Sequence, residues 1–149
     1  MVLKEMRRRL WNHLIQVEVL SSFHVELPGM ISNIDSDTLA PRNLRDTDFD
    51  ETSTVLPPSR PYTDLVPMSY SIWKGSLCKI SGKISTVANR LQLPKYADIL
   101  ELDQELLNCY LEIPPHWVQS SLDLDIADPP GVIIKRLSTA LIFHKSRCM

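Results

Sequence analysis

The sequence predicts an all-α protein, an irregular bundle of about four main helices with a long loop after the first. Three observations carry that prediction. Apolar residues recur at intervals of three and four in four separate stretches. Prolines end three of those stretches, at Pro28, at Pro94 and at Pro114–Pro115. An Asp-Pro pair, Asp128–Pro129, opens the last stretch as an N-cap followed by proline in the first helical position.

The first helix is expected near residues 3–23, where Met6, Leu10, Leu14 and Val17 form a stripe that Trp11, Ile15 and Val19 broaden. So wide an apolar face predicts contact on more than one side. Pro28 and Gly29 close the stretch. From 32 to 63 the chain carries Pro41, Pro57, Pro58 and Pro61, many short polar residues and no sustained period. This is expected to be a long flexible loop, since stretches of this composition bury little apolar surface. Its aspartates, Asp35, Asp37, Asp46, Asp48 and Asp50, lack the glycine and closing glutamate of a calcium loop and read as a solvated acidic surface.

The second helix is expected near 67–91, with Tyr70, Trp73, Leu77, Ile80, Ile84, Val87 and Leu91 as its seam and Lys74, Lys79, Lys83 and Arg90 off it. Gly75 and Gly82 interrupt it, each costing about 1 kcal/mol of helix propensity relative to alanine, and mark either a close helix approach or a weak turn. A third helix near 95–113 aligns Ile99, Leu102, Leu106, Tyr110 and Ile113, with Glu101 and Glu105 outward. A connector with Asp123, Asp125 and Asp128 leads to the fourth, near 129–147, whose Ile133, Leu137, Ala140, Leu141 and His144 share a face. That pattern is still running at Met149, and the first begins almost at Met1. The 1–149 chain is therefore expected to be an excerpt of a larger helical domain, with Trp11 and Phe143 as candidate exposed contacts.

Composition limits the function classes. The chain has 149 residues, enough for one ordinary domain, and its 16 basic against 18 acidic residues give a formal net charge of −2. A nucleic-acid-binding module is expected to be basic, so direct DNA binding by this chain is not expected. Cys78, Cys109 and Cys148 form no CxxC pair and no zinc-ligand spacing, which points to a reducing compartment. No apolar run approaches the roughly 20 residues of a membrane span, and Glu5, Asn12, His13, Gln16 and Glu18 break the first stretch as a signal peptide.

No catalytic, cofactor-binding or metal-ligating residue is singled out. A nucleophile motif is missing, and with only 4 glycines no GxGxxG or GxxxxGK[ST] spacing exists to cradle phosphate. His13, His24, His116 and His144 are scattered over separate segments. Trp11, Trp73 and Trp117 read as core or inter-helix anchors, because an indole contributes apolar burial and no reactive group. Arg7, Arg8 and Arg9 read first as a solvated helix start, with a nuclear-targeting cluster or contact to an acidic partner as alternatives.

The run Arg7-Arg8-Arg9-Leu10-Trp11, followed by Leu14, Ser21 or Ser22 and Glu26-Leu27-Pro28, resembles the arginine-tryptophan signature of the fungal-specific transcription factor domain. "VPMSYSIWKGSLCKISGKIS", "ELLNCYLEIPPHW" and "FHKSRCM" resemble later helices of the same region. In that family this regulatory region follows a binuclear zinc cluster held by six cysteines. Only 3 cysteines are present here, and they are dispersed, so this chain carries no such cluster. The resemblance implies a non-enzymatic regulatory or interaction segment of a nuclear transcription regulator. Its partners would be other proteins or the rest of such a regulator, with a small-molecule effector in some members and no membrane. A free-standing helical protein-interaction module is the alternative.

Overall fold

The computed structural model describes residues 2–25, 27, 29–31, 34, 36–118 and 128–149. It contains α1 (Val2–Val25), α2 (Pro67–Ala88), α3 (Tyr96–Leu111) and α4 (Pro130–Arg147), with single 3-10 turns at Asp46–Asp48 and Pro115–Trp117. Among the described residues there is no strand, so the protein is all-α as the periodicity predicts. Glu26, Pro28, Asp35, Asp123 and Asp125 of the sequence reading lie outside the described residues.

Two helix ends differ from the sequence expectation. The second helix stops at Ala88 rather than running to 91, because the Asn89 side chain donates to the Ser85 carbonyl at 2.9 Å and the chain turns away. Leu91 is consequently fully exposed and leaves the predicted seam. At the other end of the chain Asp128 is not the N-cap. The cap position falls on Pro129 with Pro130 at N1, and the Asp128 carboxylate pairs with the Arg136 guanidinium instead. An arginine nearly two turns inside the helix is a stronger partner for a carboxylate than a free backbone N–H.

α2 is the centre of the fold, in contact with each of the other helices. Asn12 meets Ser71 and Gly75, and Val19 meets Gly82 further along, so α1 and α2 run parallel. Tyr70 reaches the Lys135 carbonyl, and Ser146 donates to the Ser81 hydroxyl at 2.8 Å, so α2 and α4 are parallel too. α3 runs against them, as the Asp103–Arg147 and Tyr110–Phe143 contacts show. This topology accounts for the long connection after α1. A 22-residue helix rises roughly 33 Å, so a chain entering a parallel neighbour must travel back that distance, about ten extended residues at least.

The core is one cluster in which Ile15 and Val19 of α1, Leu77, Cys78 and Ile80 of α2, Leu106 of α3 and Ile142 and Phe143 of α4 join Ile113 and Trp117. α1 and α2 approach closely because α2 presents small residues there. A Cβ built on Gly75 lies 2.1 Å from Asn12 Oδ1, and one on Gly82 lies 3.3 Å from Val19 Cγ2. Of the two readings of these glycines, close helix approach is the correct one. Across this seam the Asn12 and Gln16 amides both donate to the Ser71 carbonyl, at 3.1 and 2.9 Å, so the polar side chains buried there are partnered.

Candidate interaction surface

Which side of α1 meets α2 decides what the molecule offers to others. The buried residues of α1 are Glu5, Asn12, Ile15, Gln16, Val19 and Phe23. The stripe marked by sequence period, Met6, Leu10, Leu14 and Val17, is not the core face. Together with Leu3 its members are 43–64% exposed. At about 100° per residue the stripe centres on the side of the helix opposite Asn12 and Gln16. The error has a physical cause. A helix with two apolar faces gives one broad signal, and small groups on α2 selected the face bearing Asn12 and Gln16, whose amides bond its backbone.

α4 repeats the pattern. Its buried residues are Thr139, Ile142, Phe143 and Ser146, whereas Leu137 and Leu141 of the predicted face, with Ile134, are 48–65% exposed. Ser146 bonds Ser81 and Phe143 stacks on Tyr110 with ring centroids 4.0 Å apart, which turns the 137–141 side away from α2. Phe143, expected as an exposed contact, is therefore a core residue. Trp11, its companion in that expectation, is half-buried against the core edge. The sequence did contain the signal for two-sided helices, in the breadth of the first apolar face.

The arginine triplet divides by role. Arg7 is exposed, as a solvated helix start requires. Arg9 is not solvated. Its guanidinium donates to the Leu44 carbonyl at 3.0 Å, pairs with Asp46 at 2.5 Å and lies over the Phe49 ring. Beside it, fully buried Glu5 accepts the Arg42 backbone N–H at 2.8 Å, with Arg8 and Arg9 both 3.7 Å away. α1 thus holds the 42–49 segment of the connection against its own first turns. Sequence reasoning missed this set, because nothing local marks a surface arginine as the partner of a carbonyl 35 positions away.

The connection is also bonded to itself. Fully buried Asn43 donates its side-chain amide to the Pro61 and Asp64 carbonyls, and Arg60 grips Asp48 with two donors at 3.0 and 2.7 Å. That grip, with the Arg45 backbone N–H, holds the Asp48 carboxyl down at about 2. Asp50 is lowered too, chiefly by the Thr52 and Ser53 hydroxyls. The acidic residues here face arginines and hydroxyls, and among the described residues no group of His, Cys, Asp or Glu is arranged to hold a metal ion.

The remaining marked residues take structural positions. Trp117 is in the core against Tyr70, and Trp73 packs on Tyr62. His13 and His144 are exposed, His24 bonds the Leu20 carbonyl, and His116 sits edge-on to Trp117. The cysteines are free thiols, with Cys78 pushed up to about 12 by burial. A mainly apolar cleft opens where the ends of α2 and α4 meet the start of α3, lined by Ile84, Val87, Ile99, Leu102 and Met149. No described helix is long and apolar enough to cross a membrane.

No family model matches the chain, and no solved structure does. Curated proteins do. The Zn(2)-C6 fungal-type transcription factor pigI of Monascus ruber is 37% identical over 145 residues, 97% of this chain and 18% of the relative. The Zn(2)-C6 fungal-type transcription factor mpsB of Macrophomina phaseolina is 34% identical over 97% of this chain and 20% of its own length. This chain is a homologue of fungal Zn(2)-C6 transcription factors. The transcription factor phm2 of Pyrenochaetopsis, 38% identical over 125 residues, extends the same relation to 83% of this chain and 17% of the relative. The chain thus spans about a fifth of the Zn(2)-C6 factors it matches, in a stretch with no cysteine cluster of its own.

Proposed function

We propose that this chain is part of the regulatory domain of a fungal Zn(2)-C6 transcription regulator, acting by protein contact rather than by reading DNA or by catalysis. The observation that carries the reading is the match to transcription factors along nearly the whole chain, over helices whose outer faces are apolar. The net charge of −2 and the dispersed cysteines support the absence of direct DNA binding. Homology to transcription factors supports residence in the nucleus. The apolar cleft at the α2–α4 end supports a small-molecule effector as a further partner.

The test joins 1–149 to a heterologous DNA-binding domain and activation domain and reads a reporter in a fungal host. A regulatory segment changes reporter output relative to the fusion lacking it, while purified 1–149 gives no salt-sensitive gel shift at sub-micromolar concentration. An unchanged reporter, or DNA binding by the isolated chain, would refute the proposal. The alternative, a free-standing helical interaction module, has the same exposed faces in its favour and predicts partner capture with no reporter effect.

A further inference from the structure

The turn Asp46–Asp48, which α1 holds through Arg9, carries a hydroxyl that the fold does not use. Thr47 is exposed, and its side chain is in no hydrogen bond with a described residue. Its neighbours are all engaged. Asp46 pairs with Arg9, Asp48 accepts from Arg60 and from the Arg45 backbone N–H, and Asp50 accepts from Thr52 and Ser53. Thr47 is also the one serine or threonine of the sequence with a carboxylate directly before it and at the first, third and fourth positions after it, namely Asp46, Asp48, Asp50 and Glu51. Ser32 and Ser120 have a carboxylate at the third position alone. Protein kinases choose among hydroxyls by the charges around them, and carboxylates after the acceptor suit a kinase with a basic substrate groove.

We propose that Thr47 is a phosphorylation site for an acid-directed protein kinase, and that the phosphate releases the 42–49 segment from α1. In the transfer, Thr47 Oγ1 forms a bond to the γ-phosphorus of ATP, the bond from that phosphorus to the ADP oxygen breaks, and the hydroxyl proton passes to the kinase's base. The product carries about −1.5 to −2 charge at pH 7 and three strong acceptor oxygens. It stands between two carboxylates that already hold arginines, so it repels Asp46 and Asp48 and competes with them for Arg9 and Arg60. The carboxylates Asp46, Asp48, Asp50 and Glu51 already outnumber the arginines Arg9, Arg45 and Arg60 that face this turn, so the added charge is repelled on balance. Arg9 transmits the effect, because its pair with Asp46, its donation to the Leu44 carbonyl and its place over Phe49 tie the segment to α1.

The test incubates the full chain with ATP and a purified acid-directed serine/threonine kinase, and places the phosphate by mass spectrometry. Labelling is expected at Thr47, kept in Thr47→Ser, lost in Thr47→Ala, and about ten-fold slower in Asp50→Asn or with a base-directed kinase. Far-UV circular dichroism checks that each variant keeps its helix content, and the serine variant serves should the alanine one disturb the turn. Hydrogen exchange by NMR then reads the release. The Arg42 backbone N–H, which donates to Glu5 at 2.8 Å, is expected to exchange about ten-fold faster in the phosphorylated chain and to recover after phosphatase treatment, while the Leu77 amide in the middle of α2 keeps its rate. No labelling of the folded chain, phosphate at Ser32 or Ser120 in place of Thr47, or equal labelling by the base-directed kinase overturns the site. Unchanged Arg42 exchange overturns the release, and so does slower exchange, which would mean that the phosphate tightens the grip of Arg9.

Discussion

Leu106→Ala tests whether α3 is held as the structure describes. α3 has 16 residues, yet Leu106 is its one buried side chain and is fully enclosed, while Tyr96, Leu100 and Leu111 on the same helix are more than half exposed. Partly buried Leu107, Cys109 and Tyr110 also pack against the core, Tyr110 by stacking on Phe143, whereas the ion pairs of α3 add little. Lys83–Glu105 and Arg147–Asp103 are ion pairs with both partners about half exposed, and such pairs contribute about 0–1 kcal/mol each. Removing a buried leucine side chain costs about 2–5 kcal/mol, from lost transfer energy plus the cavity left behind. Against a typical total of roughly 5–15 kcal/mol, that single change removes a large share of the stability. Urea and thermal unfolding measure it, with about 2–4 °C of melting temperature per kcal/mol at this chain length. Leu111→Ala, at an exposed position, is the control and stays within about 0.5 kcal/mol of the parent. A Leu106→Ala loss below about 1 kcal/mol would mean that α3 is not docked through this residue, and the reasoning from burial fails.

Three further outcomes follow from the same geometry. Gly75→Ala lowers stability by about 1 kcal/mol despite its gain in helix propensity, because the new Cβ must displace the Asn12 amide and its bond to Ser71, whereas Gly131→Ala, with open space around it, is neutral or stabilising in the same melts. A thiol-reactive dye at pH 8 labels exposed Cys148 quickly, while Cys109 and Cys78, pushed up by burial to about 11 and about 12, react only on unfolding; rapid labelling of all three contradicts the packing. Asp48, held at about 2 mainly by Arg60 against an ordinary value of 3.8, favours the folded state above pH 4 and loses that contribution as pH falls toward 2, so carboxyl titration by NMR should place its midpoint well below that ordinary value and Arg60→Ala should bring it back up.

The sequence by itself determined where helices start and stop to within a few residues. Three-and-four spacing and proline stops are local, and local signals survive without knowledge of neighbours. It also determined what the chain lacks, since a binuclear zinc cluster needs cysteines that the composition does not contain. It did not determine which face of α1 or α4 lies inward. Each helix carries two faces that satisfy the period, and the choice fell to groups distant in sequence: the Ser71 carbonyl and Gly75 for Asn12 and Gln16, and the Ser81 hydroxyl for Ser146. The same holds for Arg9 and Glu5, whose partners Leu44 and Arg42 become neighbours only because the parallel pairing of α1 and α2 sends the connection back along α1. Periodicity records how much apolar surface a helix has, whereas close approach and hydrogen-bond complementarity with another helix decide which part of it is buried.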